Sequence, residues 1–296
     1  MDQHENNTKN QHLPNPQFLE RLKLYEDTIA CKKTDRVLTA PMIMYLPINL
    51  YGQTTIQAVM EDWDNGKESY IRYHQEFQPD LAWGPQAIFP SNVLDILDCQ
   101  YVQWPGRHFN NPNRGFQILD KEYMHQEEYQ EYIQDPSGFM LNKVLPRHYA
   151  KLHGLSMIDI TNPVYLGGLF SFIPFSLPPV KAAMEALSKA GEAMLEIAKK
   201  DGMFCGMMVG MGFPMALDYC AVAPFDIFND TLRGLINTTM DMLDCPEELL
   251  SALEVSTRIQ VQQIKKQMSD RPIKTVVFFI HNGMDDFMSL EQYETF

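Results

Sequence analysis

The stretch Thr275-Val-Val-Phe-Phe-Ile-His-Asn-Gly-Met-Asp-Asp-Phe-Met-Ser289 constrains the fold of this chain more than any other. Its first six residues are apolar or β-branched, the composition of a strand buried on both faces in a parallel sheet. The run leads straight into His281, Asn282, Asp285 and Asp286. Such a polar cluster is expected where a strand of an α/β barrel opens onto its active-site face. The chain ends at Phe296, where the next helix is expected to begin, so the reading is of a catalytic rim on an unfinished barrel.

The rest of the sequence alternates between the two periods. Phe18, Leu22, Tyr25 and Ile29 share one face of a helix from Phe18 to Cys31, and Val37 to Tyr45 reads as a first strand with Pro41 at its start or at a bulge. Thr54 or Thr55 caps a helical stretch that is interrupted at Asp64-Asn65-Gly66 and runs to Phe77; Leu81 to Trp83 is a second, short strand. Residues 86–163 form a proline-punctuated excursion with strand-like pieces such as Phe116 to Leu119 and short helices such as Glu127 to Ile133. Pro178-Pro179 opens a helix that Lys199-Lys200 and Gly202 close, which leaves Met203 to Met211 as a third strand. Pro246 begins a long helix to about Met268, and the fourth strand starts near Lys274. Strands alternating with helices imply a parallel sheet. The expected fold is therefore α/β, a TIM-type (β/α)8 barrel incomplete at its C-terminus, with about four of eight βα units present. Residues 1–17 are expected to be a disordered tail and residues 18–296 the N-terminal part of the barrel.

Charge narrows the partners. At a formal net charge of −14, and with no basic patch interleaved with aromatics, the chain is not read as a nucleic-acid binder. No apolar run approaches the roughly 20 residues that cross a bilayer, and the polar N-terminus is not a signal peptide, so the expected compartment is the cytoplasm. The five cysteines are scattered, without the close spacing of zinc ligands, and are read as buried reduced thiols.

Several residues could carry chemistry. His281 with Asp285 and Asp286 could serve as general acid and base, since a histidine beside a carboxylate titrates near neutrality. The alternative is a strand-end histidine bonded to backbone, with an aspartate or Ser289 capping the next helix. Asn282 sits on the same turn. Met44 and Tyr45 end the first strand, where an aromatic ring could line a pocket. Gly210-Met-Gly212-Phe213-Pro214 could let a ligand approach the backbone, or could simply be a tight turn. Arg233-Gly234 reads as a helix end, Arg147-His148 as structural, and Asp241 with Asp244 as a solvated helix face.

The order of five short phrases resembles that of the uroporphyrinogen decarboxylase superfamily. They are Lys33-Thr-Asp-Arg-Val37, Gln78-Pro-Asp80, Pro224-Phe-Asp226 with Leu232-Arg-Gly234, Asp241-Met-Leu-Asp-Cys-Pro-Glu-Glu248, and Met284-Asp-Asp-Phe-Met-Ser289 with Glu291-Gln-Tyr293. The resemblance implies a TIM barrel with its pocket at the C-terminal ends of the strands. It also implies one of two activities: decarboxylation of uroporphyrinogen in porphyrin biosynthesis, or methyl transfer between a corrinoid protein and a thiol or tetrahydrofolate-type acceptor. The decarboxylases place arginines at the first strand to bind substrate carboxylates and an aspartate after the second. This chain has Met42-Ile-Met-Tyr-Leu-Pro-Ile-Asn-Leu50 and Gly84-Pro-Gln86 there. The family's tyrosine after the third strand has Tyr219 near its place.

The methyltransferase branch is therefore expected, with catalytic residues His281, Asp285 and Asp286 and substrate-binding residues Met44, Tyr45, Gly210, Phe213, Tyr219 and Asn282. Tyr45 could stack on a flat macrocycle. No metal ligand is assigned. A corrinoid would be carried by a partner protein, and zinc would require ligands from a missing C-terminal part. The ligand is expected to be a small molecule or a tetrapyrrole or corrinoid. Three other readings remain open: the decarboxylase, a non-catalytic tetrapyrrole-binding module, and an inactive truncated barrel that pairs with another chain or with itself.

Overall fold

The computed structural model describes residues 15–160, 163–216, 219–270, 275–284 and 287–296. The chain is mostly helical, with four short strands among these residues. Helix α1 (Pro16–Ile29) starts two residues earlier than expected, because the Asn15 side chain accepts from Gln17 N–H and Pro16 occupies the first turn. Residues 15–17 thus belong to the helix and not to a tail; residues 1–14 lie outside the described residues. The buried side of α1 is centred on Arg21. Its guanidinium donates to Gly212 O (2.7 Å) and Gln78 Oε1 (2.7 Å) and lies over the Phe213 ring.

Residues 37–43 carry no strand, which corrects the first β assignment. The segment is held instead by a side chain. Buried Asp80 accepts from Arg36, Thr39 N–H (2.8 Å) and Thr39 Oγ1 (2.9 Å), while Thr39 O accepts from the amides of Asp80 and Leu81. Helices α2 (Leu46–Tyr51), α3 (Ile56–Glu61) and α4 (Lys67–Phe77) follow, with Thr55 capping α3 through Ala58 N–H. They pack Ile48, Met60 and Tyr70 with Trp104 in the first of three apolar cores. Where a second strand was expected, only Ala82 makes a ladder contact, a parallel bridge to Met215.

The excursion contains α5 (Ser91–Leu97), an antiparallel pair of β1 (Val102–Gln103) and β2 (Gln117–Ile118), α6 (Tyr129–Gln134), α7 (Pro136–Phe139) and α8 (Leu145–His148). Glu128 anchors it, taking both guanidinium nitrogens of Arg147 (2.7 and 2.8 Å), Lys143 and His125 N–H. Burial raises the Glu128 pKa, but these donors outweigh it and bring it down to about 2.

Helix α9 (Pro178–Gly210) overturns the third strand assignment. It runs unbroken through Gly202: Ala183, Ala186 and Ala190 lie three or four apart on its buried side, and Phe204 and Met208, four apart, return to that side about four turns further on. Met203 to Met211 therefore obeys the helical period, although its composition suits a strand. The third strand is β3 (Tyr219–Val222), further along the chain. After α10 (Pro224–Ile227), a π-helical turn (Phe228–Leu232), α11 (Leu235–Asp244) and α12 (Pro246–Asp270), β4 (Val276–Phe279) lies parallel to β3 in the register Tyr219↔Val276 to Val222↔Phe279. Helix α13 (Leu290–Thr295) starts at the expected Ser289 cap.

This pair is the α/β element of the fold; no closed barrel is formed among the described residues. The second core packs Tyr129, Phe139, Phe228 and Leu249, and the third sits between α5, residues 150–157 and α9. No helix among the described residues is long and apolar enough to cross a membrane.

Two outcomes follow from this packing. A Cβ added at Gly202 or Gly206 meets nothing within 4 Å. Each glycine-to-alanine change should therefore raise stability in urea titration by about 0.5–1 kcal/mol if this stretch is helix; a loss of stability would speak for a strand. His148 is buried against Tyr123 and Tyr101, and burial, against a carbonyl contact at Thr231, pushes its pKa down to about 4. The folded state therefore favours neutral His148. That contribution is complete above the unfolded value near 6.5 and is lost as pH falls toward 4, up to about 3 kcal/mol. Denaturation between pH 7 and 4 should show a slope that His148→Gln removes.

Candidate active site

At the C-terminal ends of β3 and β4 a set of polar side chains converges. Asp226, only 1% exposed, stands in the first turn of helix that follows β3. Its carboxylate gathers the end of β4: His281 N–H donates to Oδ2 (2.6 Å), and Asn282 N–H (3.2 Å) and Asn282 Nδ2 (3.1 Å) donate to Oδ1. One turn on, Asp230 Oδ2 meets His281 Nδ1 at 2.6 Å, and Asp230 Oδ1 accepts from Asn282 Nδ2 at 3.3 Å. Two acids spaced four residues apart thus grip one dipeptide, the first by its backbone and the second by its imidazole.

The chemical consequence is specific. A carboxylate is an acceptor only, so the neutral ring facing Asp230 carries its proton on Nδ1. Nε2, the nitrogen turned away from Asp230, is then a lone-pair base. The imidazole is about half exposed while Asp230 is less so, and the ring is reachable from solvent. A proton taken at Nε2 produces an imidazolium already paired with a carboxylate, the arrangement that general-base catalysis uses.

Sequence reasoning found part of this group. His281 and Asn282 stand where expected, after a parallel strand; Tyr219, expected after the third strand, instead opens β3 opposite Val276, at the end of the pair away from this cluster. Asp285 and Asp286 lie outside the described residues. The remaining assignments go elsewhere. Met44 O accepts from Tyr70 OH (2.5 Å), and Tyr45 OH accepts from Phe116 N–H (3.3 Å) while its ring packs edge-on against Phe116; burial raises the Tyr45 pKa to about 12. Phe213 is core, set against His74 and Arg21. Gly210 ends α9, its carbonyl taken by Asn15 Nδ2 (3.3 Å), and Gly212, at φ +93°, turns its carbonyl toward Arg21. These residues take part in the first core and in the docking of α1.

Asp241 is likewise not on a solvated face. It is buried and holds Arg233 through Nε (2.6 Å) and Nη2 (3.0 Å), with Tyr129 OH on the same carboxylate. Arg233 and Arg147 are structural, as read. All five cysteines are free, but Cys31 and Cys220 are exposed, contrary to expectation.

Asp230 and Asn229 were missed. The available signal was the i, i+4 spacing of Asp226 and Asp230, which puts both acids on one helix face. Asn229 is buried in the π-helical turn, and its amide has no hydrogen-bond partner among the described residues. Among those residues no group of three or more His, Cys, Asp or Glu is placed to hold a metal ion. Comparison with family models, curated proteins and solved structures returned no match.

Asp226→Ala would strand the His281 and Asn282 donors. It should lower stability by about 2–3 kcal/mol and speed amide exchange at both positions, measured by hydrogen exchange. Exchange unchanged at residues 281 and 282 would remove Asp226 from this role.

Proposed function

We propose that this chain is an enzyme whose base is His281, oriented by Asp230, and that it belongs to the uroporphyrinogen decarboxylase superfamily on its corrinoid-linked methyltransferase side. The observation that carries the first part is the 2.6 Å contact between His281 Nδ1 and Asp230 at the C-terminal edge of two parallel strands. Ligands of open α/β sheets and barrels bind at that edge.

Three observations support the second part. The phrases that carry the resemblance meet in pairs: Arg36 with Asp80, Arg233 with Asp241, and Asp226 with the end of the strand before Met284. Ala82, in the expected second strand, bridges Met215 in parallel, and β4, the expected fourth strand, pairs in parallel with β3, the sense of pairing that a βα-barrel uses. The stretch 42–50 contains no arginine to bind a polycarboxylate, which favours methyl transfer over uroporphyrinogen decarboxylation.

In this reading His281 Nε2 removes the proton of an acceptor thiol, and Asp230 stabilises the imidazolium. The thiolate sulfur then bonds to the methyl carbon. A methyl-corrinoid on a partner protein would supply that carbon as an electrophile and keep the electron pair of the broken bond. Asp226 and Asn282 keep the imidazole in place.

The test incubates the chain with methylcobalamin and a simple thiol and follows the visible spectrum. Demethylation should appear and fall roughly 10²- to 10⁴-fold in His281→Gln. Conversion of uroporphyrinogen to coproporphyrinogen would assign the decarboxylase instead. Either activity persisting unchanged in His281→Gln would overturn the base assignment.

A further inference from the structure

The segment Leu166–Ser176 is a 3-10 helix with Pro174 inside it and no buried residue. Val164 is 84% exposed, Leu166 83% and Phe170 71%; Tyr165, Phe172 and Ile173 are also exposed. From Ile160 to Val180 the sequence contains no charged residue. Apolar residues displayed this way gain nothing from water, and a chain stabilises such a surface only by covering it. The segment runs into α9, where Met184 and Leu195, about three helical turns apart and therefore on one side, are exposed too.

We infer that this strap is the contact between two copies of the chain related by a two-fold axis. Area is the first reason. The apolar side chains of 164–184 expose on the order of 1,000 Å², close to the ~800 Å² that each partner contributes to a standard interface. Charge is the second. Each copy carries a net −14, so two copies repel over most of their surfaces and can approach closely where no charge lies. The long neutral tract supplies that place, and a two-fold contact needs only one self-complementary patch. A lipid surface fits less well. Segments that lie in a membrane interface combine an apolar face with lysines and arginines for the head groups. This tract is bounded by Asp159 and Lys181 on an acidic chain.

The test is sedimentation of the intact chain from nanomolar to tens of micromolar, with Phe170→Glu and Leu166→Glu beside it. The expected result is a monomer–dimer equilibrium that both substitutions weaken roughly tenfold or more. Hydrogen exchange in 164–177 should slow as the wild-type chain is concentrated, a readout that does not depend on a variant folding. A wild-type chain that stays monomeric throughout overturns the proposal. So does a dimer unaffected by folded variants whose strap exchanges equally at all concentrations. Co-sedimentation of a monomer with phosphatidylcholine vesicles would overturn it in favour of lipid.

Discussion

A buried carboxylate that collects the donors of a distant segment is the constraint on which this structure rests. Asp226 does it for the end of β4, where it holds the backbone of His281 and Asn282 just beyond the parallel pairing with β3. The same device recurs. Asp80 holds residues 36–39, Glu128 ties α8 to the start of α6, and Asp241 holds Arg233. Few strands are present among the described residues to supply a hydrogen-bonded ladder, and side-chain acceptors satisfy backbone amides that a sheet would otherwise pair. Each of these acids is nearly inaccessible, and each has several donors, which is what allows a charge to be buried without large cost.

This organisation explains what could be read from the sequence. Helices with caps and a clear period were legible: Thr55 at α3, Pro246 at α12, Ser289 at α13; the Asn15–Pro16 start of α1 was read as tail. So was β4 as a parallel strand, but not its expected burial on both faces: none of Val276–Phe279 is buried, and Phe278 is more than half exposed. Residues 37–43 and 203–211 were misread for opposite reasons. The first has strand composition but gains its partners from Asp80, a contact forty residues away. The second is apolar enough for a strand, yet Phe204 and Met208 are four apart and continue the buried side of α9. Short apolar runs are ambiguous in this way, and the tertiary partner decides.

The site was half legible for a related reason. A histidine after a buried strand is visible in one dimension; the acid that orients it is not, since Asp230 lies fifty-one positions earlier. Tyr45 and Phe213 attracted attention as aromatic residues near expected strand ends, and both serve the core. The strap at 164–177 lies apart in sequence from the residues of the site. Pairing through it would leave His281 and Asp230 on each copy, each site complete within one chain.

The orientation of His281 is the point at which fold and chemistry meet, and the most direct test is nitrogen NMR of its ring at a pH where it is neutral. The account predicts the proton on Nδ1, with Nε2 unprotonated, and a loss of that preference when Asp230 is replaced by alanine. A ring protonated on Nε2, or a tautomer indifferent to Asp230, would contradict it.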